Sequence, residues 1–158
     1  MASLQELALF LDTPLFLVPE YEDSISAMLK NPQAEMLFIF ASEADAQIQN
    51  KQKKSVLSSM IEAVAQKQTN QPTIAELPKE ILIFPEKKII YWDFANTQIR
   101  YFFVFGENTA QNIGLQIEKY QWLTWKGVQT LVAHTLQEIE SQKGYKNLIW
   151  QALMEVFQ

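Results

Sequence analysis

The sequence predicts a single layered α/β domain with a mixed four- or five-stranded sheet flanked by helices. Three features carry that expectation. "MLFIFA", from Met36 to Ala41, and "EILIFPE", from Glu80 to Glu86, are short apolar runs without polar alternation, the pattern of strands covered on both faces. Between them Val56, Leu57, Met60, Ile61 and Val64 line one side of a helix, and a strand, helix and strand of this length make a parallel pair. The third feature is "KKIIYWDFANTQIRYFFVFG", rich in aromatic and β-branched residues and read as two strands joined at "ANT" in a hairpin, which makes the sheet mixed. With 158 residues, 48% of them hydrophobic, the chain can bury a core without disulfides or metal.

Taken in order, the elements begin with a short amphipathic helix. Ser3 and Glu6 form a capping-box pattern, and Leu4, Leu7, Ala8 and Leu11 recur at helical spacing. Pro14 follows, then "LFLVPEYE" reads as extended, with Pro19 keeping it out of a sheet interior. Residues 1–20 are set apart on this pattern as an N-terminal docking segment, with 21–158 as the α/β domain. Ile25, Met28 and Leu29 mark a second short helix that closes at "KNPQ". Met36 to Ala41 is the expected central strand, and Ser42 and Asp45 signal a helix start just after it. Within the aromatic tract, alternation sends Ile90, Trp92 and Phe94 to one face and Tyr91 and Asp93 to the other. "LQIEKY" reads as a further short strand and "YQWLTW" as a loop. Two helices end the chain, one marked by Val128, Leu131, Val132, Leu136 and Ile139 and one by Leu148, Ile149, Leu153, Val156 and Phe157, with Gly144 between them.

Composition narrows the chemistry. There is no cysteine for thiolate catalysis or thiolate-bound zinc. The four glycines, Gly106, Gly114, Gly127 and Gly144, assemble no dinucleotide or Walker pattern, and Glu43 and Asp45 would repel an anion at the helix start after Ala41. No cofactor or metal is expected. A net charge of −5 with one arginine disfavours direct nucleic-acid contact, although "KQKK" at Lys51, Lys53 and Lys54, backed by Lys87 and Lys88, is a local basic run. Neither a signal-peptide pattern nor an apolar run long enough to span a bilayer is read, so the expected address is cytoplasmic.

Catalytic groups are sparse. The one histidine, His134, falls inside the first of the two C-terminal helices as read here, and no G-x-S-x-G elbow presents a serine. Glu76, Glu80, Glu86 and Asp93 stand near strand ends, where paired carboxylates could run acid/base chemistry; a small ligand binder or hydrolase using them, with His134 nearby, is the alternative function. Large rings point elsewhere. Trp122 and Trp125, in the expected loop, are candidate exposed anchors for a protein partner.

Two stretches add a family resemblance. In "LQEIESQKGYKNLIWQALMEVF", the spacing of Leu136, Ile139, Lys146, Trp150 and Leu153 is similar to the last helical region of the psi subunit of bacterial DNA polymerase III holoenzyme, and "LALFLDTPLFLVPE" resembles that family's leading segment. The sequence departs from the pattern in three places: Leu15 and Phe16 stand where an aromatic, commonly Trp, sits, Leu17 and Val18 replace basic residues, and Lys143 and Gly144 occupy a position where proline is expected. The resemblance implies a non-enzymatic adaptor of the DNA replication machinery. Its leading segment would dock on a clamp-loader subunit through Leu11, Pro14, Leu15 and Phe16. Its folded domain would pair with a chi-like subunit, giving an indirect link to the single-stranded DNA-binding protein. An adaptor of the same architecture with other partners is what the departures allow.

Overall fold

The architecture seen in the computed structural model, which describes residues 22–45, 56–85, 89–116 and 118–157, grows from two strands that have no polar side. These are β2 (Met36–Phe40), buried at every position, and β5 (Tyr101–Phe105), buried at all but its first. They pair in parallel, Phe38 opposite Phe103. Outside β2 lies β3 (Lys79–Ile83), also parallel. On the far side of β5 runs β7 (Val128–Ala133), parallel, and then β6 (Leu123–Trp125), antiparallel, so the five-stranded sheet has the order β3-β2-β5-β7-β6.

Alternation along the buried strands sends side chains into two cores. Phe38, Phe40, Phe103, Phe105 and Leu131 face α2 (Val56–Lys67), α4 (Leu136–Ser141) and α5 (Lys143–Val156), which contribute Leu57, Ile61 and Val64, then Leu136 and Ile139, then Ile149 and Leu153. Phe38 stacks on Phe103 and Phe40 on Phe105, each pair with ring centroids 4.8 Å apart. Leu37, Ile39, Phe102, Val104 and Val132 point the other way, toward α1 (Ile25–Met28) and α3 (Glu107–Ile113). The described residues thus form a single three-layered α/β domain with a mixed sheet. No helix among them is long and apolar enough to cross a membrane.

Several expectations hold in detail. The β2–α2–β3 unit is parallel, α1 forms where Ile25 and Met28 placed it, and Phe94, Trp92 and Ile90 share one core while Tyr91 and Asp93 are exposed. Others are corrected. Residues 88–105 make no hairpin: β4 (Ile89–Tyr91) pairs in parallel with β1 (Glu22–Ser24) in a separate two-stranded sheet, and β5 takes the middle of the main sheet. The physical reason is that Phe102 to Phe105 lack a polar face, so both sides of that strand need cover. Val128 to Ala133 are strand and not helix, because their apolar residues fit either period and β5 needs a neighbour on its second edge. The strand expected at "LQIEKY" lies further on, at Leu123–Trp125, paired with β7 through a tight turn in which Lys126 (φ 51°) and Gly127 (φ 83°) both have positive φ. Gly144 does not separate the last two helices; it lies in the first turn of α5, and the break falls at Gln142. As an edge strand, β3 is only partly buried, with Ile83 38% exposed.

Phe103 is held between β2 and β7 and stacked on Phe38, so Phe103→Ala should cost about 3–5 kcal/mol, measured as a lower urea midpoint at unchanged slope.

Candidate functional site

The strand order reverses between β2 and β5, and in open α/β sheets the crevice beyond the C-terminal ends of such strands is where ligands bind. Here that crevice is bounded by Ala41 after β2, Gly106 after β5 and Thr135 after β7. It leaves a pocket of about 220 Å³, lined also by Glu107, Asn108, Thr109 and Glu138. Gly106 has φ 108°, and a Cβ there would stand 3.3 Å from the Thr135 methyl, so glycine lets the chain leave β5 at this point.

Two helices start at the crevice: α3, whose first turn follows Gly106 without a side-chain cap and carries Glu107, and α4, whose N-terminus is already occupied. Asp45 is 6% exposed, and its Oδ2 accepts from the Leu136 N–H at 3.1 Å while Oδ1 accepts from the Gln137 N–H at 3.0 Å. A capping box completes the turn: Thr135 Oγ1 accepts from the Glu138 N–H at 3.2 Å, and Glu138 Oε1 accepts from the Thr135 N–H at 3.3 Å. The first three N–H groups of α4 therefore have acceptors within the chain. Asp45 itself is aimed by Ser42, whose Oγ accepts from the Asp45 N–H at 3.2 Å. The Ser42/Asp45 signal marks a real helical turn, at residues 43–45, but the carboxylate serves another helix, 91 positions away in sequence.

His134 lies between β7 and α4, not inside a helix as the sequence suggested. Its Nδ1 is 2.8 Å from the Tyr120 hydroxyl, its backbone N–H donates to the same oxygen at 3.3 Å, and its ring stacks on Tyr145 at 3.7 Å. Burial pushes the Tyr120 phenol up to about 12, with the Tyr145 and Glu138 charges adding and the His134 backbone N–H opposing. Beside this cluster, a cleft of about 550 Å³ runs along α3, with Glu107, Gln111, Glu118 and Lys119 on its walls.

The other expected sites separate. Glu80 is buried in the N-terminal half of β3, and its Oε1 accepts from the backbone N–H groups of Lys30 and Asn31. Glu76 accepts from the Thr73 N–H at 2.9 Å and Asp93 from the Ala95 N–H at 3.0 Å, so each of these carboxylates bonds its own local backbone. Among the described residues, no three His, Cys, Asp or Glu are grouped to hold a metal ion. Glu86, Lys51, Lys53, Lys54, Lys87 and Lys88 lie outside the described residues, as do Leu11, Pro14, Leu15 and Phe16. Trp122 and Trp125 are half-buried and not free loop anchors. Trp122 Nε1 donates to the Ala152 carbonyl at 2.7 Å and its ring meets Phe103, whereas Trp125, at the end of β6, packs on Trp92, Phe94 and Phe102. Sequence reasoning passed over Tyr120 and Tyr145. It also passed over the capping box "TLQE", which would have started α4 at Leu136 and freed His134 from the helix.

No family model matches the chain, and no curated protein matches it.

Two outcomes follow for stability. Asp45→Ala strips both acceptors from the start of α4 and should cost about 2 kcal/mol, with Asp45→Asn recovering part of it, read from urea unfolding. On the alkaline side the sign is set by Tyr120: with its folded value raised to about 12 above the ordinary 10.0, its contribution is complete below the ordinary value and lost as pH rises through the folded one. The melting temperature of the wild type should therefore fall more steeply than that of Tyr120→Phe across that window.

Proposed function

We propose that this chain is a non-enzymatic adaptor of the DNA replication machinery, resembling the psi subunit and bridging a clamp-loader subunit to a chi-like partner. The observation that carries the reading lies at the switch point, where Asp45 and the Thr135/Glu138 box take the N–H groups that start α4, while the start of α3 has no side-chain cap and carries Glu107, whose charge opposes an anion. The carboxylates of the alternative, ligand-binding reading accept from backbone N–H groups, Glu76 and Asp93 from neighbours in sequence and Glu80 from Lys30 and Asn31, so no specific observation favours it.

Surface features suit contact with proteins. The stretch that resembles the psi C-terminal region spans α4 and α5, and α5 presents Leu148 at 41% exposure. Leu123, at 47%, stands between the partly exposed Trp122 and Trp125 on the edge strand. In this reading Trp122 and Trp125 contact the chi-like subunit, and Leu11, Pro14, Leu15 and Phe16 dock on the clamp loader.

Burying Leu15 and Phe16 against a partner is worth about 1.5–3 kcal/mol each. The double substitution Leu15→Ala with Phe16→Ala should weaken binding to the clamp loader of the same organism by about a hundredfold or more. Removal of residues 1–20 should abolish binding while leaving the cooperative thermal unfolding of the domain in place. Unchanged affinity of either variant, measured by calorimetry, would refute the assignment.

A further inference from the structure

We propose that Tyr120, His134 and Tyr145 form an acid-released latch that holds the 118–120 turn against the end of β7 and so fixes one wall of the cleft beside α3. Tyr120 is clipped to β7 twice: its backbone N–H donates to the Val132 carbonyl at 2.8 Å, and its hydroxyl bridges the His134 N–H and Nδ1. A backbone N–H only donates, so the hydroxyl oxygen accepts there and its own proton is available for Nδ1. With that proton donated to Nδ1, the imidazole is neutral and carries its hydrogen on Nε2. Tyr120 also sits at φ 64°, a left-handed conformation costly for a side chain of this size, so its contacts must over-determine it.

The latch and the cleft share residues. Lys119, next to Tyr120, reaches Glu107 of α3 at 3.6 Å across the cleft, and Val132, whose carbonyl receives the Tyr120 N–H, forms part of its floor. From α5, Tyr145 stacks on the imidazole at an interplanar angle of 15°.

Protonation of His134 turns Nδ1 into a donor. The phenol oxygen then faces two N–H groups, and its own proton loses its acceptor. The charged and titratable groups facing the ring are Tyr120 and Lys119 from the turn, Glu107 from α3, Glu138 from α4 and Tyr145 from α5. Burial outweighs the attraction of Glu138 and Glu107, Lys119 adds to burial, and the ring titrates below its ordinary 6.5. A lowered folded value means that the neutral, latched form is complete above the ordinary value and weakens as pH falls below it.

Amide hydrogen exchange of the full chain, corrected for the intrinsic pH dependence of the rate, tests the latch. Between about pH 7.5 and about pH 5, protection of the Tyr120 amide should fall about tenfold while that of Phe103 in the sheet interior stays constant. In His134→Gln the Tyr120 protection should not depend on pH. Tyr120→Phe, which keeps the Val132 bond and loses the hydroxyl, should show the weaker protection at both ends of the range. Constant Tyr120 protection in the wild type, or an equal fall in either variant, would overturn the proposal.

Discussion

A strand without a polar side chain must be covered on both faces, and this constraint organises the molecule. Met36 to Phe40 and Phe102 to Phe105 are such strands, so neither can sit at an edge or face water on one side. Pairing them side by side solves half of the problem, since each then lacks only one neighbour. The vacancies are filled by β3 next to β2 and by β7 next to β5. Alternation along the shared register then requires a helical layer on each face, and the stacked phenylalanines set what those layers meet. The more polar strands, β3 and β6, take the edges, where partial exposure costs them least.

The same arrangement creates a demand at the C-terminal end of the sheet. Because β2 is the strand from which the order runs both ways, the chain leaves β2 and β5 in adjacent positions and α4 starts over the gap, directing N–H groups into it. An external anion could satisfy them; so can a carboxylate of the chain. Asp45 reaches that position because Ser42 turns the chain immediately after β2. A fixed carboxylate brings no translational entropy to lose, so an internal cap outcompetes a dilute anion of similar bonding strength. The junction that looks most like a ligand cradle is, in this molecule, a tertiary fastening between the first half of the chain and the last.

Much of this was legible in the sequence. Met36 to Ala41, the α2 stripe and the Ile90/Trp92/Phe94 alternation are local patterns, and the structure keeps them. At 88–105 the strands were read and their partners were not, whereas the misreading at 128–139 arose where two periods fit the same residues: "VQTLVA" supports a helical face through Val128, Leu131 and Val132, and equally supports a strand with Val128 and Val132 on one side and Leu131 on the other. Only the need of β5 for a second neighbour decides between them, and that need is a property of the assembled sheet. One local signal was present all the same, in Thr135 and Glu138, which place the start of α4 after His134. The site was less legible than the fold. Asp45 meets Leu136 across 91 positions and Tyr120 meets His134 across 14, and no spacing rule links such partners.

Trp122 and Trp125 show how one residue can serve both core and surface. Each ring is fixed from behind, Trp122 by the Ala152 carbonyl and Phe103, Trp125 by Trp92, Phe94 and Phe102, yet each remains partly exposed on the edge of the sheet. A free loop tryptophan would have to surrender its rotamer entropy on meeting a partner, which costs about 0.5–1.5 kcal/mol for an immobilised side chain. Rings already held by the core surrender little, and their exposed edges contribute burial directly. In the proposed adaptor, then, half-burial makes these two residues better anchors than the fully exposed ones that the sequence suggested. It also ties the proposed contact to the core, because Phe102 and Phe103 are among the residues that hold the two rings in place.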